Sequence, residues 1–416
     1  MNKWNLAVLP WVWVAVMNVS HAADSGPDIK LAESAASPLK ALTEGKLLLQ
    51  LRPRYAYVTQ SDKADAAEGT TMRTLLGWQT RPWLGLSATV EMLNVGHLGA
   101  EHYASAGTPP SKYPLIRDPD NTDANRLYLE FTGVPKNTLR WGRQELLLDN
   151  ERMVGVKNFS QTAQLFDAVT LRNQFFSSTE IFLGRFWRTR TTSATELPSD
   201  TSLLNVRYSF TTRSSLAGYG YFQHQPDTGQ TTAFGDNSNR IAGLRLDGLQ
   251  PIWDKLGALY TAEYAHQRHY MMGDDRINAD YSRLGTGMEW SRFYLRWDRE
   301  RLASNNGVYA FQTPIGSTHT FQGWADLFTT TPKEGIIDEF ATLGLTVKSV
   351  SLYVERHRFQ SDTKGINFGR ELDVRVSYAA TQSLSARLEV ANYTAGSPAA
   401  GKPDTRKTWL TVLYNY

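Results

Sequence analysis

Apolar and polar side chains alternate with period two along most of the chain, in runs of roughly ten residues bounded by turn formers. That is the pattern of strands with one apolar and one polar face. In the first run Leu47, Leu49, Leu51, Pro53 and Tyr55 share a face, and Gln50, Arg52 and Arg54 share the other. Leu204, Val206, Tyr208 and Phe210 alternate with Asn205, Arg207 and Ser209. Leu372, Val374, Val376 and Tyr378 alternate with Glu371, Asp373, Arg375 and Ser377. Further runs near 72–80, 83–95, 125–132, 139–145, 167–172, 178–190, 215–225, 239–247, 257–267, 281–290, 293–300, 337–347, 350–358, 384–393 and 408–416 bring the total to eighteen. The run Thr179–Arg190 supports either parity, because Phe182 and Phe186 compete with Ile181, Leu183 and Trp187. A bulge near Gly184 would switch its register.

The connections alternate in length. Segments 81–82, 133–137, 173–177, 212–214, 248–256, 291–292, 348–349 and 380–383 are short. Those between them, 58–71, 96–124, 146–166, 191–201, 226–238, 268–280, 301–336, 359–367 and 394–407, are mostly long. An all-β fold with this rhythm is expected to be a transmembrane antiparallel β-barrel of about eighteen strands, with clipped turns and both termini on the periplasmic side. A soluble sandwich has no reason to obey it. The last strand carries Leu410, Val412, Tyr414 and Tyr416 on one face, resembling the aromatic C-terminal signal of bacterial outer-membrane barrels. Trp78, Trp83, Trp141, Trp290, Trp297 and Trp409 suit interfacial girdles.

Residues 1–22 read as a signal peptide: Lys3, an apolar stretch from Leu6 to Val19, then Ser20-His21-Ala22. Residues 23–44, small and polar with Pro27 and Pro38, read as a short periplasmic lead-in, and 45–416 as the barrel. Past the signal no run of about 18 apolar residues remains, so a spanning helix is not expected and a closed barrel is the membrane solution left.

Composition narrows the chemistry. The chain has 416 residues, 41% hydrophobic and 20% charged, and no cysteine. Disulfides, thiolate metal sites and cysteine nucleophiles are therefore excluded. A net charge of +3 argues against a nucleic-acid partner. Of the 44 basic residues 30 are arginine, a permanently charged planar fork suited to carboxylates. If the apolar faces meet lipid, arginines and carboxylates line the lumen in nearly equal number, and most are expected to pair across strands. The candidate solute path is Arg52, Arg54, Arg126, Glu130, Arg140, Arg143, Asp167, Arg188, Arg190, Arg375 and Arg387. Arg52 with Arg54, Arg140 with Arg143, and Arg188 with Arg190 form local clusters, and staggered cations favour anion passage. The connection 301–336 is rich in aromatics, and it is expected to fold inward as a constriction carrying Phe311, Phe321, Trp324 and Asp326, with Trp324 and Phe321 as anchors.

Several stretches resemble the alginate-export family of outer-membrane channels. They are Asn125-Arg126-Leu127-Tyr128-Leu129-Glu130-Phe131, Leu139-Arg140-Trp141-Gly142-Arg143-Gln144, Gln161 to Ala168 ending in Phe166-Asp167-Ala168, Phe311-Gln312-Thr313-Pro314, and His319 to Asp326 followed by Thr331-Pro332. The resemblance implies an eighteen-stranded barrel with an electropositive pore, which in the type member passes alginate. By motif, Arg126, Arg140, Arg143 and Asp167 would line or brace that pore. Phe159-Ser160 departs from a Trp-Arg pair found in many members.

The expected function is an outer-membrane channel for anionic or polar solutes, including an anionic polysaccharide such as alginate, with no cofactor, no metal and no catalysis. Its expected partners are outer-membrane lipid, the solute and periplasmic export machinery. An outer-membrane enzyme and a plugged structural or adhesin barrel are the alternatives. His266, His269 and His357 are the candidate catalytic groups for the enzyme, without a Gly-x-Ser-x-Gly or His-Glu-x-x-His motif beside them.

Overall fold

The computed structural model describes residues 34–99, 101–105, 111–225 and 235–416. Eighteen strands form one antiparallel sheet. They are β1 (Lys46–Gln60), β2 (Ala67–Gln79), β3 (Leu86–His97), β4 (Asn121–Phe131), β5 (Asn137–Gln144), β6 (Leu165–Asn173), β7 (Thr179–Arg190), β8 (Glu196–Thr211), β9 (Ser214–His224), β10 (Asn239–Trp253), β11 (Leu256–His269), β12 (Asn278–Trp290), β13 (Phe293–Leu302), β16 (Ile336–Val347), β17 (Val350–Gln360), β18 (Asn367–Ala379), β19 (Leu384–Ala395) and β20 (Thr405–Asn415). The connection after β13 adds a small ribbon, β14 (Ser304–Asn305) with β15 (Tyr309–Ala310). Each long strand pairs with the next, and β20 returns to β1 with Leu410 opposite Tyr55, so the sheet closes on itself.

Every expected run falls on one of these strands. Several strands extend further than the alternation suggests, so that 58–71 contracts to 61–66 and 191–201 to 191–195. Backbone pairing continues past the point where side-chain hydrophobicity stops reporting it.

The alternation sorts side chains inside out. Leu76, Trp141, Leu244 and Leu284 are exposed on the outer surface, whereas Glu91, Asp298, Asp373 and Glu389 are buried on the inner one. A continuous apolar exterior over eighteen strands is stable only against an apolar solvent. The clipped connections are true hairpins. Two-residue links at 291–292 and 348–349 hold Ser291 and Lys348 at φ 55° and 53°, the left-handed backbone that matches strand twist in such turns.

Two expectations change. In β7 Phe182 and Phe186 face inward and Leu183 and Trp187 outward. The bulge lies at Trp187, between the pairings of Phe186 and Arg188, and not at Gly184, which pairs in register with Thr170 and Leu203. Trp409 is no girdle residue. It is 5% exposed and packs edge-on against Phe159 and His319 in the lumen, as its parity opposite Leu410 requires.

The signal segment 1–22 lies outside the described residues. The end of the lead-in forms helix α1 (Pro38–Thr43), started by Pro38 and capped by Ser37 Oγ accepting from Lys40 N at 3.2 Å. Trp78 Nε1 donates to Leu42 O at 2.8 Å, and Arg81 N to Ala41 O at 3.0 Å, which fastens α1 to the short-turn rim.

Candidate functional site

On the long-loop side, two connections cross the lumen and meet. Segment 145–164 joins segment 303–335 through Gly155 N to Ile315 O (3.0 Å), Ser317 N to Glu151 O (2.8 Å), and Gln164 Nε2 to both Gly155 O and Ile315 O (2.9 Å each). Arg152 pairs with Glu300 on the wall at 3.0 Å, donates to Gln322 at 2.9 Å, and lies over the Phe321 ring. Val154, Phe311, Ile315, Trp324 and Phe328 pack with inward Phe166, Tyr281, Phe359 and Tyr393 into an apolar core held inside the barrel.

The wall receives these loops with polar groups. Trp324 N donates to Asp373 Oδ2 at 3.2 Å, and Ala325 N to Glu371 Oε1 at 2.7 Å. The Trp324 ring stacks on Tyr353, with the Arg375 guanidinium 4.3 Å from its centre. Gln267 Oε1 accepts from Tyr309 OH (2.9 Å) and Gln312 N (2.8 Å). Asp118, from a third connection, accepts from Gln161 N at 2.8 Å and pairs with Arg54 at 3.4 Å. Segment 303–335 thus lies against the inner wall. Phe321 and Trp324 are buried as its anchors, Phe311 is fully buried, and Asp326 accepts from His319 at 3.1 Å.

Burial dominates the electrostatics of these loops. It lowers His319, outweighing the nearby Asp326. Burial also opposes ionisation of Asp326, but the His319 charge and hydrogen bond hold that carboxyl below its ordinary range. Burial, then the Arg117 charge, pulls the Lys157 ammonium down to about 8.

Below the loops lies a cavity of about 2330 Å³. Its lining runs from the short-turn rim at Thr80, Lys136, Thr212, Arg292 and Thr346 to Thr320, Phe321 and Trp324. Thirteen arginines and lysines line it against eight carboxylates. Many pair: Arg126 grips Glu91 with two bonds of 2.9 and 2.6 Å, Arg140 pairs with Glu130, and Arg245 reaches Glu263 at 2.8 Å. Others share a partner. Arg283 and Arg296 both close on Asp298, at 3.0 and 2.7 Å, and Arg375 and Arg387 share Glu389 at 2.7 and 3.9 Å. Each trio sets two guanidinium groups on one carboxylate.

The structure divides the expected path residues. Arg126, Glu130, Arg140 and Arg375 line the cavity. Arg387 stands beside it, partly exposed, through Glu389. Arg52 and Arg54 point inward but lie beneath segment 145–164. Arg52 donates to Gln161 Oε1 (2.7 Å), Asn158 O (2.8 Å) and the Ser160 carbonyl, and Arg54 covers the Phe159 ring at 4.4 Å. They act as braces. The Arg140–Arg143 cluster does not form, because a spacing of three puts the two on opposite faces of a strand. Arg143 sits opposite outward Leu127 and pairs with Asp167 at 2.8 Å. Arg188 joins Asp167 (3.7 Å) and Glu196 (2.9 Å) at the long-loop rim, off the cavity wall. Arg190 is fully buried, donating to Asp123 and Asn125 at 3.0 Å each.

Arg81, Arg172, Arg207, Arg213, Arg245, Arg283, Arg292 and Arg296 also line the cavity. Strand parity already turns Arg207, Arg245, Arg283 and Arg296 inward, whereas Arg81, Arg213 and Arg292 lie in turns and carry no such signal. The three histidines do not converge. His266 shares the outward parity of Tyr264 and pairs with Asp280, His269 ends β11, and His357 is buried inside on β17.

A model of the family described as Alginate export matches residues 86–302, just over half of the 416. The match includes the motifs between 125 and 168 and stops before those between 311 and 332. No curated protein matches the chain in sequence. Among solved structures, Pseudomonas aeruginosa OccK9 (OpdG) is similar with a TM-score of 0.71 and 13% identity, over 90% of this chain and 99% of that one. Acinetobacter baumannii OccAB1 has a TM-score of 0.70 and 10% identity, over 92% and 99%. Pseudomonas aeruginosa OccK2 (OpdF), solved in complex with glucuronate, has a TM-score of 0.67 and 12% identity, over 89% and 98%. At these identities the likeness is one of fold.

Proposed function

The chain belongs to the alginate-export family of outer-membrane β-barrel channels, and from that premise we propose a passive channel for small anionic solutes, carboxylates foremost. The observation that carries this reading is the cavity wall, where thirteen cations face eight carboxylates, eleven with Glu91, Glu263 and Glu389 that pair with lining arginines from behind, and where two trios set two arginines on one acid. Fixed guanidinium groups replace part of an anion's hydration. The short-turn rim, where β1 begins and β20 ends, faces the periplasm in this reading, as do both termini. The docked loops narrow the opposite half and favour small solutes over a polymer. The glucuronate held by OccK2 is of that size and charge. Alginate, a chain of such acids, would use the same cations but needs the loops to swing aside.

Planar-bilayer recording tests this. The wild type should give discrete conductance with a reversal potential on the anion side, reduced by glucuronate. Replacing Arg283 and Arg296 with glutamine removes two wall cations and strands Asp298, so the reversal potential should move toward cations. A cation-selective wild type, or no shift in the variant, refutes the proposal. The docked, buried loops also favour a second reading, a barrel plugged by its own connections, which would give no conductance at all. Block by oligouronates beyond that by glucuronate would point to polymer passage and to a periplasmic export partner.

A further inference from the structure

Four carboxylates surround one histidine on the inner wall, at the edge of the arginine-lined cavity, which Glu355 reaches. Asp338 comes from β16, Glu355 and His357 from β17, and Glu371 and Asp373 from β18; every one is buried, His357 at 3% exposure and Asp373 at 0%. Strand register brings them together, for His357 stands opposite both Phe340 and Glu371, and Glu355 opposite Asp373. The adjacent cation Arg375 is already engaged by Glu389. The group therefore sets four buried carboxyl groups against one imidazole, with only Glu355 reaching the large cavity. Burial of unpaired carboxylates on that scale calls for a counter-charge.

The details point to a metal ion. His357 Nδ1 bonds Asp338 at 2.9 Å, and the ring lies stacked between Phe340 and Phe359, so its other nitrogen is held in one direction. That nitrogen, Nε2, has no hydrogen-bond partner, and neither do Asp373 Oδ1 and Glu371 Oε2. Glu355 Oε1 is satisfied by Thr342 Oγ1 at 2.7 Å and Tyr353 OH at 3.1 Å, which leaves Oε2 turned toward His357. His357 Nε2 lies 3.3 Å from Glu355 Oε2 and 3.6 Å from Asp373 Oδ2. Ligands about 2.1 Å from a tetrahedral ion stand about 3.4 Å apart; the two distances from His357 Nε2 match that spacing, and all three ligand atoms lie within 4.8 Å of one another. A carboxylate on the far nitrogen of a ligating histidine is the usual orienting device of metal sites.

We propose that His357, Glu355 and Asp373 bind a divalent first-row cation of the zinc type, with Asp338 as the positioning residue. One imidazole and two carboxylates suit such an ion better than calcium, which takes oxygen ligands. Glu355 also lines the large cavity, which offers a route of entry. Because Asp373 and Glu371 accept the backbone N–H groups of Trp324 and Ala325, the ion ties the tip of the inner loop to the wall. This site stands independently of which solute the channel passes.

The test uses the full barrel in detergent, stripped with a chelator and titrated with Zn²⁺, and separately with Co²⁺ for its visible absorption. One equivalent of Zn²⁺ should bind, with Co²⁺ bands of a low-coordinate nitrogen and oxygen site. Asp373→Asn should abolish both. Asp338→Asn, which touches no metal, should weaken binding about 10–100-fold. His97→Ala, in the exposed group His97, Glu101 and Asp120, should leave binding unchanged. Absence of binding by the wild type, full binding by folded Asp373→Asn, or loss of binding in His97→Ala overturns the proposal. Should Asp373→Asn not fold, the Co²⁺ spectrum of the wild type and the Asp338→Asn affinity decide it.

Discussion

Replacing Trp324 with alanine should release the inner loop while leaving the barrel closed. The indole is 2% exposed, stacked on Tyr353 and capped by the Arg375 guanidinium at 4.3 Å. A buried ring of this kind hides on the order of 200 Å², worth about 5 kcal/mol by area, and buried tryptophan-to-alanine changes cost about 3–5 kcal/mol. None of that contact joins one barrel strand to the next, so the loss falls on docking of segment 303–335 rather than on the sheet. Even about 3 kcal/mol raises the undocked fraction by roughly two orders of magnitude. Chymotrypsin reports it, since Phe311, Phe321 and Phe328 are buried when the loop is docked and cleavage follows the open population when reclosing is fast. Single-channel records should show the same change as more frequent high-conductance openings. Trp297→Ala removes an indole from the outer surface and should leave loop cleavage unchanged. A folded Trp324→Ala barrel cleaved at the wild-type rate would refute the reasoning.

Acidification should loosen the same loop. Burial lowers the His319 pKa, so between that lowered value and the ordinary 6.5 the undocked loop binds more protons than the docked one, and docking weakens as pH falls through this window. Asp326, held below its usual range by His319, adds a loss of the same sign in more acid solution. Cleavage normalised to an unfolded control should therefore rise below neutrality in the wild type, and His319→Phe, which keeps the stack on Phe159, should flatten the near-neutral part. Gly142, inside the Arg-Trp-Gly-Arg stretch, has φ 128°, and a Cβ there would press on the Leu127 carbonyl. Gly142→Ala should cost about 1–3 kcal/mol of local strain and lower the thermal midpoint of the barrel, measured by loss of its folded gel mobility.

The strand count, their inward faces and the alternation of short and long connections were legible in the residues, because period two and turn chemistry are local properties that each segment carries alone. The aromatic richness of 301–336 likewise announced a connection with something to bury. Parity does not announce the outcome where a bulge intervenes, as at Trp187, and a spacing of three, as in Arg140 and Arg143, separates two strand residues that look adjacent in the chain. What only the tertiary structure decided is which charges remain free. Arg52 looks from the chain like a pore cation, but Gln161, more than a hundred residues away, covers it. Arg283 and Arg296 look balanced until register places both on the one carboxylate of Asp298. His357 acquires its four acids from three neighbouring strands. A strand's own pattern sets which way a side chain points, but its partner is set by closure of the barrel and by loops returning across the lumen, and those long-range contacts leave no periodic trace in the chain.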